Sequence, residues 1–168
     1  MCKKIIMTIV LSISVLSVVN AQQENVNKAF NKALSGYFNV KNALATDNVA
    51  LTSTSAKGFL ADLKSFPISA LTIEQRNQWK AQVEDIKKHT SAIVAEKDLK
   101  AQRKSFEYVS SAVIKIVKGV NLNNNEVFVQ YCPMVKRSWL NEVEDIQNPF
   151  YGSKMYDCGE VTETIAKK

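Results

Sequence analysis

The residue types best suited to chemistry in this 168-residue chain are cysteine and methionine, and they gather near its C-terminus. Beyond residue 21, they occur only as Cys132, Met134, Met155 and Cys158. Thiolates and thioethers are the ligands that select soft metal ions such as copper(I). Two pairs, Cys132-x-Met134 and Met155-x-x-Cys158, would meet if the strands that carry them are neighbours. The sequence therefore predicts a sulfur-rich metal site, with copper(I) as the preferred ion.

The same two cysteines allow a second interpretation, a disulfide between Cys132 and Cys158. An exported protein reaches a compartment that permits disulfides. This bridge would contribute about 3 to 4 kcal/mol by the loop-entropy model, and the methionines would then serve as flexible core residues. Residue types leave three states open: metal ligands, a disulfide, or free thiols.

His89 is the only histidine of the chain. It lies four residues after Asp85 in a predicted helix, where a solvent-facing or boundary position is typical, and it is a further candidate metal ligand if the C-terminal part folds over that face. Motifs of common enzymes are absent: G-x-S-x-G, S-x-x-K, the P-loop, G-x-G-x-x-G and C-x-x-C do not occur. We therefore expect a protein that is not an enzyme.

The first 21 residues have the features of a secretory signal peptide. Two lysines precede an apolar stretch from Ile5 to Val19, and the leader ends in Val19-Asn20-Ala21, with small residues at the cleavage site. We interpret residues 1–21 as a signal peptide, and the mature protein as periplasmic or secreted. No second apolar run long enough to span a membrane follows, so we predict no membrane span after cleavage.

The charge and length of residues 22–168 limit the partners and the number of domains that we expect. The leader holds two lysines and no acid, so its removal lowers the formal net charge from +6 to +4. The remaining lysines alternate with acidic residues along helical segments, which is typical of solvated helix faces and not of a nucleic-acid-binding surface. We therefore predict no nucleic-acid partner and a single domain over residues 22–168.

Four segments show the three-and-four spacing of apolar residues that indicates amphipathic helices. Short links between them predict a mainly α fold, an up-and-down four-helix bundle. Their ends carry the usual signals, namely capping residues, a capping box, a proline and a glycine. The predicted helices run from about Val26 to Ala45, from a cap at Asp47 or Asn48 to Pro67, from the capping box at Thr72 past Ile93, and from about Asp98 to Gly119.

The chain changes character after residue 125. Val127 to Tyr131 is β-branched and aromatic and is too short for a helix, so it predicts a strand. A short helix is predicted around Trp139 to Ile146, and Asn148 to Gly152 is rich in turn-forming residues. Cys158 to Val161 is a candidate second strand. The C-terminal part should form a small, hairpin-like or irregular tail packed on the bundle.

Several short motifs in this tail and in the fourth predicted helix occur together. They are Cys132-Pro133-Met134, Trp139-Leu140, Ile146-x-Asn148-Pro149, Gly152, Met155 and Cys158-Gly159-Glu160-Val161, with Ala101-Gln102-Arg103, Phe106 and Ser110 upstream. Together they resemble the signature, over residues 131–161, of a family of small secreted bacterial domains of unknown function. The same domain type occurs at the C-terminus of periplasmic adaptor subunits of Cus-type heavy-metal efflux pumps.

The resemblance implies a helical, non-catalytic domain that handles copper or another heavy metal. Its candidate ligands are then Cys132, Met134, Met155 and Cys158, and its partner a periplasmic efflux adaptor or a metal chaperone. A different function fits the disulfide interpretation. In that case the chain is an interaction module of the cell envelope, and the surface around Phe150 and Tyr151 contacts a partner.

Overall fold

A computed structural model describes the backbone of residues 2–168 and the side chains of residues 22–168. The predicted signal peptide, residues 1–21, lies outside the residues whose side chains are described. Within residues 22–168, no helix is both long enough and apolar enough to cross a membrane. The main elements are helices α1 (Cys2–Ala45), α2 (Val49–Ser65), α3 (Ile73–Ala95) and α4 (Leu99–Val120), and strands β1 (Val127–Cys132), β2 (Arg137–Asn141) and β3 (Glu160–Ile165).

The four helices confirm the predicted bundle, and their starts follow local capping chemistry. The side chain of Asn48 accepts a hydrogen bond from the Leu51 amide and caps α2. Thr72 forms the predicted capping box at α3, and Asp98 caps α4. Helix α1 begins before the predicted Val26, in a stretch without the proline or glycine that would end a helix.

A stack of aromatic and aliphatic side chains fills the bundle. Phe66 stacks on Trp79 with ring centroids 3.8 Å apart, and Tyr37 stacks on Phe106 at 5.4 Å. The hydroxyl of Tyr37 is buried, lies 2.7 Å from the Ser110 hydroxyl, and accepts a hydrogen bond from the Leu140 amide. Tyr37 therefore joins α1, α4 and β2 in one core.

Residues 126–168, here called the C-terminal segment, contain a three-stranded antiparallel sheet in the order β2-β1-β3. Strand β2 packs against α4. The predicted helix around Trp139 to Ile146 is wrong, because Trp139 and Leu140 pair with Gln130 and Val129 of β1. In the sheet, the side chains of both residues are buried.

The second predicted strand exists but begins later than expected. Strand β3 starts at Glu160, after Gly159, whose φ of +155° few other residues adopt. It pairs with β1 and contains an irregularity opposite Val129 and Gln130. Strand β1, which ends at Cys132, and strand β3, which begins two residues after Cys158, are therefore neighbours.

The loop after β2 is held by buried polar side chains. The amide of Gln130 donates to the carbonyl oxygens of residues 143, 144 and 145 at 2.9 to 3.2 Å. Lys41 of α1 is fully buried, donates to the side chains of Asn141 and Gln147, and lies 3.2 Å from Glu142. Burial lowers the pKa of Lys41, and the Glu142 carboxylate opposes that shift. These contacts fix the loop on α1.

A second set of polar contacts, here called the tail–bundle junction, joins the turn after Pro149 to the helices. Arg103 of α4 donates to the Pro149 carbonyl at 2.8 Å and pairs with Asp47, between α1 and α2. Asp47 also accepts hydrogen bonds from the amide and hydroxyl of Ser153. Gly152 has a φ of +60° and packs so closely on Asp47 and Arg103 that a Cβ would clash with both.

Candidate metal centre

Cys132 and Cys158 lie side by side at one end of the sheet. Cys132 is the last residue of β1, and Cys158 precedes the first residue of β3, which pairs with Tyr131. Their Sγ atoms are 3.1 Å apart, and both residues are free cysteines. These two sulfur atoms, here called the thiol pair, are the part of the predicted site that the fold brings together.

Cys132 has an environment that favours a thiolate. Its side chain is fully buried, which by itself raises the pKa of the thiol. The hydrogen bond from the Cys158 thiol, with further ones from the backbone amides of Val135 and Met134 and the side chain of Asn148, outweighs burial and lowers the pKa below its usual value. These donors stabilise negative charge on one specific sulfur atom.

Cys158 titrates in the opposite direction. The neighbouring Cys132 raises the pKa of the Cys158 thiol, and burial and Asp157 add to that effect. Cys132 therefore loses its proton first, and Cys158 then donates its remaining proton to the Cys132 thiolate. Cys158 is the more exposed of the two, so the stabilised thiolate is the one shielded from solvent. That order suits a held ligand better than an attacking nucleophile, which needs access to its target.

Asn148 orders the chain around the thiol pair. Its buried side chain donates to the Cys158 carbonyl at 2.7 Å and accepts from the amides of Phe150 and Tyr151. Its own amide donates to the Tyr156 carbonyl at 2.7 Å. Asn148 therefore fixes both the turn that follows it and the position of Cys158.

Close packing limits how far Cys158 can move. A Cβ at Gly159 would lie 3.0 Å from the Tyr131 carbonyl oxygen and 3.1 Å from the buried Trp139 ring. Only glycine fits both this gap and the positive φ. The backbone next to Cys158 therefore approaches β1 and β2 more closely than another residue would allow.

Each methionine lies close in sequence to one cysteine of the thiol pair. Met134 lies in the turn between β1 and β2 with 62% of its surface exposed, and Met155 is half-buried three residues before Cys158. The Cys158 amide donates to the Met155 carbonyl at 3.2 Å. No hydrogen bond described for residues 22–168 joins a methionine sulfur to either thiol. Both methionines are within three residues of a cysteine in the sequence, and Met134 is exposed to solvent.

His89 lies on α3, stacked on Tyr108 of α4 with ring centroids 4.3 Å apart. It is not among the hydrogen-bond partners of the thiol pair. Within residues 22–168, no group of three or more histidine, cysteine, aspartate or glutamate side chains is arranged to hold a metal ion. The thiol pair therefore supplies two sulfur atoms, and no third side chain of these four types is placed with them among the described residues.

The sulfur–sulfur distance lies between the values for two different states. A disulfide needs about 2.0 Å, so the Sγ atoms would have to approach by about 1 Å. A metal ion with metal–sulfur bonds of about 2.3 Å and a tetrahedral angle needs about 3.8 Å, so they would have to separate by about 0.7 Å.

The sequence predicted Cys132 and Cys158 as ligands, but it carried no signal for the groups that lower the pKa of Cys132. The amides of Met134 and Val135 became donors because the chain turns tightly after Cys132, as the 2.8 Å hydrogen bond from the Lys136 amide to the Cys132 carbonyl shows. The positive φ of Lys136 completes that turn. Asn148-Pro149 was a turn signal, but its contact with a cysteine 16 residues away carries no local signature.

A family model described as a protein of unknown function, DUF3347, matches residues 33–125. The matched part runs from within α1 past the end of α4, and it stops before β1 and the thiol pair. Neither a curated protein nor a solved structure matches the chain.

Proposed function

Since the chain belongs to the DUF3347 family, whose function is unknown, we propose that this member binds copper(I), or an ion of similar softness, through Cys132 and Cys158. The proposed setting is the periplasm or the extracellular space, reached by means of the signal peptide. The protein would act as a carrier that takes up and releases the ion, without catalysing a reaction.

One observation carries this proposal: two free cysteine sulfur atoms 3.1 Å apart, one of them buried with hydrogen bonds that favour its thiolate. A soft ion binds the thiolate and not the thiol, so the lowered pKa of Cys132 reduces competition from protons at that sulfur, whereas Cys158 loses its proton when the ion binds. Apolar residues around Cys132 exclude water, which strengthens the attraction between the ion and the sulfur.

Met134 is the proposed third ligand. Its thioether carries no charge and needs no deprotonation, and thioethers bind copper(I) readily. Met134 lies two residues after Cys132 and is exposed, so its thioether is open to a donor molecule. Met155 is the alternative thioether, on the Cys158 side. The likeness of residues 131–161 to the tail signature described above supports a role in heavy-metal handling, with an efflux adaptor or metal chaperone as partner.

The same short distance favours a second candidate function. Oxidation would join Cys132 to Cys158 and close a loop of 27 residues, which stabilises the fold by about 3.5 kcal/mol in the loop-entropy model. The chain would then be a rigid interaction module of the cell envelope. The two candidates make opposite predictions for the reduced protein.

Native mass spectrometry of the mature protein, reduced and kept under nitrogen, separates them. Copper(I) is supplied from a competing chelator to the wild type, to Cys132→Ser, to Met134→Leu and to His89→Asn. We expect one copper in the wild type, none in Cys132→Ser, and weaker binding, by about tenfold, in Met134→Leu. His89→Asn is the control and should bind as the wild type does.

Absence of copper in the reduced wild type would refute the proposal. Loss of two mass units on exposure to air, with no copper uptake under nitrogen, would instead support the disulfide-bridged module. Binding that is unchanged in Met134→Leu but weakened in Met155→Leu would assign the thioether role to the other methionine.

A further inference from the structure

A groove beside the thiol pair has no role in the proposed metal centre. It runs between the first half of α4 and the turn that joins β1 to β2, and its volume is about 610 Å³. Ala101, Val135 and Phe150 contribute its apolar surface, and Lys100, Lys104 and Arg137 contribute positive charge. These six residues define what is here called the basic groove.

The charges of the basic groove are only partly balanced. Glu107 pairs with Arg137 at 2.6 Å, and Asp98 accepts a hydrogen bond from the Ala101 amide as the cap of α4. Lys100 and Lys104 are exposed, and no ion pair is described for either within residues 22–168. Two free ammonium groups along an apolar floor attract a ligand that has both carboxylates and an apolar side chain.

Two residues that line the groove, Val135 and Phe150, also belong to the turns that contact the thiol pair. Val135 lies in the groove, and its backbone amide donates to the Cys132 sulfur. Its neighbour Met134 is exposed. On the other side, the Phe150 ring packs 6.0 Å from the buried Trp139 ring, and the Phe150 amide donates to Asn148. A ligand in the groove would therefore contact the two turns that position both cysteines.

We infer that the basic groove docks an acidic, partly apolar segment of the protein that exchanges the metal ion with the thiol pair. This inference rests on the proposed function and names the chemistry of its partner. A second copy of the chain is the poorer occupant, because the part beyond the leader has a formal charge of +4 and two such molecules repel each other. Docking there brings the ion donor to the exposed Met134.

The test measures docking without metal, so that its result does not depend on copper binding. A fluorescent eight-residue peptide, with six glutamates around a central leucine and methionine, is titrated with the reduced, metal-free mature protein. A second peptide replaces each glutamate by glutamine. Fluorescence anisotropy gives the dissociation constants at low and at high salt for the wild type and for two double variants.

Lys100→Glu with Lys104→Glu removes the free charges of the groove. Lys80→Glu with Lys88→Glu makes the same net change on exposed positions of α3, outside the groove, and is the matched control. We expect the groove variant to bind the acidic peptide at least about tenfold more weakly, and the control within about twofold of the wild type. High salt should weaken binding to the wild type, and backbone amide resonances of Ala101, Val135 and Phe150 should shift on titration.

Equal affinity for the glutamine peptide, equal loss in both double variants, or resonance shifts away from the groove would each overturn the inference. Binding to phosphatidylglycerol vesicles through Lys100 and Lys104, with no binding of the peptide, would also overturn it. Peptide binding by a protein that takes up no copper would refute the metal function and leave the groove as a docking site. Copper uptake without peptide binding would refute the groove alone.

Discussion

The helical bundle and the C-terminal segment share one apolar core, but buried amide side chains are more frequent in the C-terminal segment. Stacked aromatic and aliphatic side chains, such as Phe66 on Trp79, hold the helices together. In the C-terminal segment, buried amide side chains such as Gln130, Asn141 and Asn148 bond to backbone groups and hold the loops. Apolar packing tolerates exchange of one aliphatic residue for another, whereas a buried amide has few substitutes.

The family match and the thiol pair lie in different regions of the chain. The family match covers residues 33–125 and thus rests on the bundle. The thiol pair, its hydrogen-bond donors and half of the basic groove lie in the C-terminal segment. The function proposed for this chain is therefore tested best in its C-terminal segment, outside the matched residues.

The largest effect is expected from Phe59→Ala, in the bundle. Phe59 is almost fully buried and packs on Tyr37 with ring centroids 6.3 Å apart, so its truncation should lower the free energy of unfolding by about 3 to 5 kcal/mol. Because the Tyr37 hydroxyl also accepts a hydrogen bond from the Leu140 amide, hydrogen exchange should accelerate in both regions.

Urea denaturation measures the loss of stability, and exchange mass spectrometry measures the loss of protection in the two regions. A C-terminal segment that keeps its protection would show that it folds independently, and Leu51→Ala, an exposed residue of the same helix, is the control.

Asn148→Ala should have a smaller and more local effect. The substitution leaves the amides of Phe150 and Tyr151 and the Cys158 carbonyl without their partner, at a cost of about 2 to 3 kcal/mol. Hydrogen exchange should accelerate in the C-terminal segment and stay unchanged in α3. The pKa of Cys132 should rise, since Asn148 is one of its donors, and alkylation against pH measures it. Asn124→Ala, at an exposed position, serves for comparison; equal loss of protection in α3 would contradict a local role.

The smallest effect is expected at the tail–bundle junction, where the free energy of unfolding should depend on pH. The hydroxyl of Ser153, against the opposing effect of burial, and the Arg103 guanidinium lower the pKa of Asp47 to about 2 from the ordinary 3.8. A lowered pKa in the folded state stabilises the protein above pH 4, and that contribution is lost as the pH falls from about 4 to about 2. Since Asp47 is partly exposed, we expect on the order of 1 kcal/mol. Urea denaturation between pH 2 and pH 6 measures it, and the pH dependence in Asp47→Asn should be flatter in that window; an unchanged slope would contradict the assignment.

The bundle could be predicted from the sequence because its signals are local. The caps at Asn48, Thr72 and Asp98 act within three residues, and the apolar spacing of each helix reflects its own buried face. Strand β1 was predicted for the same reason, since its β-branched and aromatic residues are contiguous.

Strand β2 was predicted as a helix because Trp139, Leu140, Val143 and Ile146 follow the spacing of a helix face. Pairing with β1 decided otherwise, and that contact is not visible in the local pattern. The clustering of sulfur residues predicted a site of four sulfur ligands, and the fold places the Cys132 and Cys158 sulfur atoms 3.1 Å apart. The state of this thiol pair depends on the amides of Met134 and Val135 and on Asn148, which only the folded chain brings to the sulfur.

The burial of Lys41 depends on residues that are synthesised much later than Lys41 itself. Its helix is made early in synthesis, but the side chains that receive its ammonium group, Asn141 and Gln147, emerge from the ribosome about a hundred residues later. A chain cut short before residue 141 lacks Asn141, Glu142 and Gln147, the partners of the Lys41 ammonium group that is fully buried in the full-length protein. The surface of α1 around Lys41 therefore distinguishes finished molecules from truncated ones.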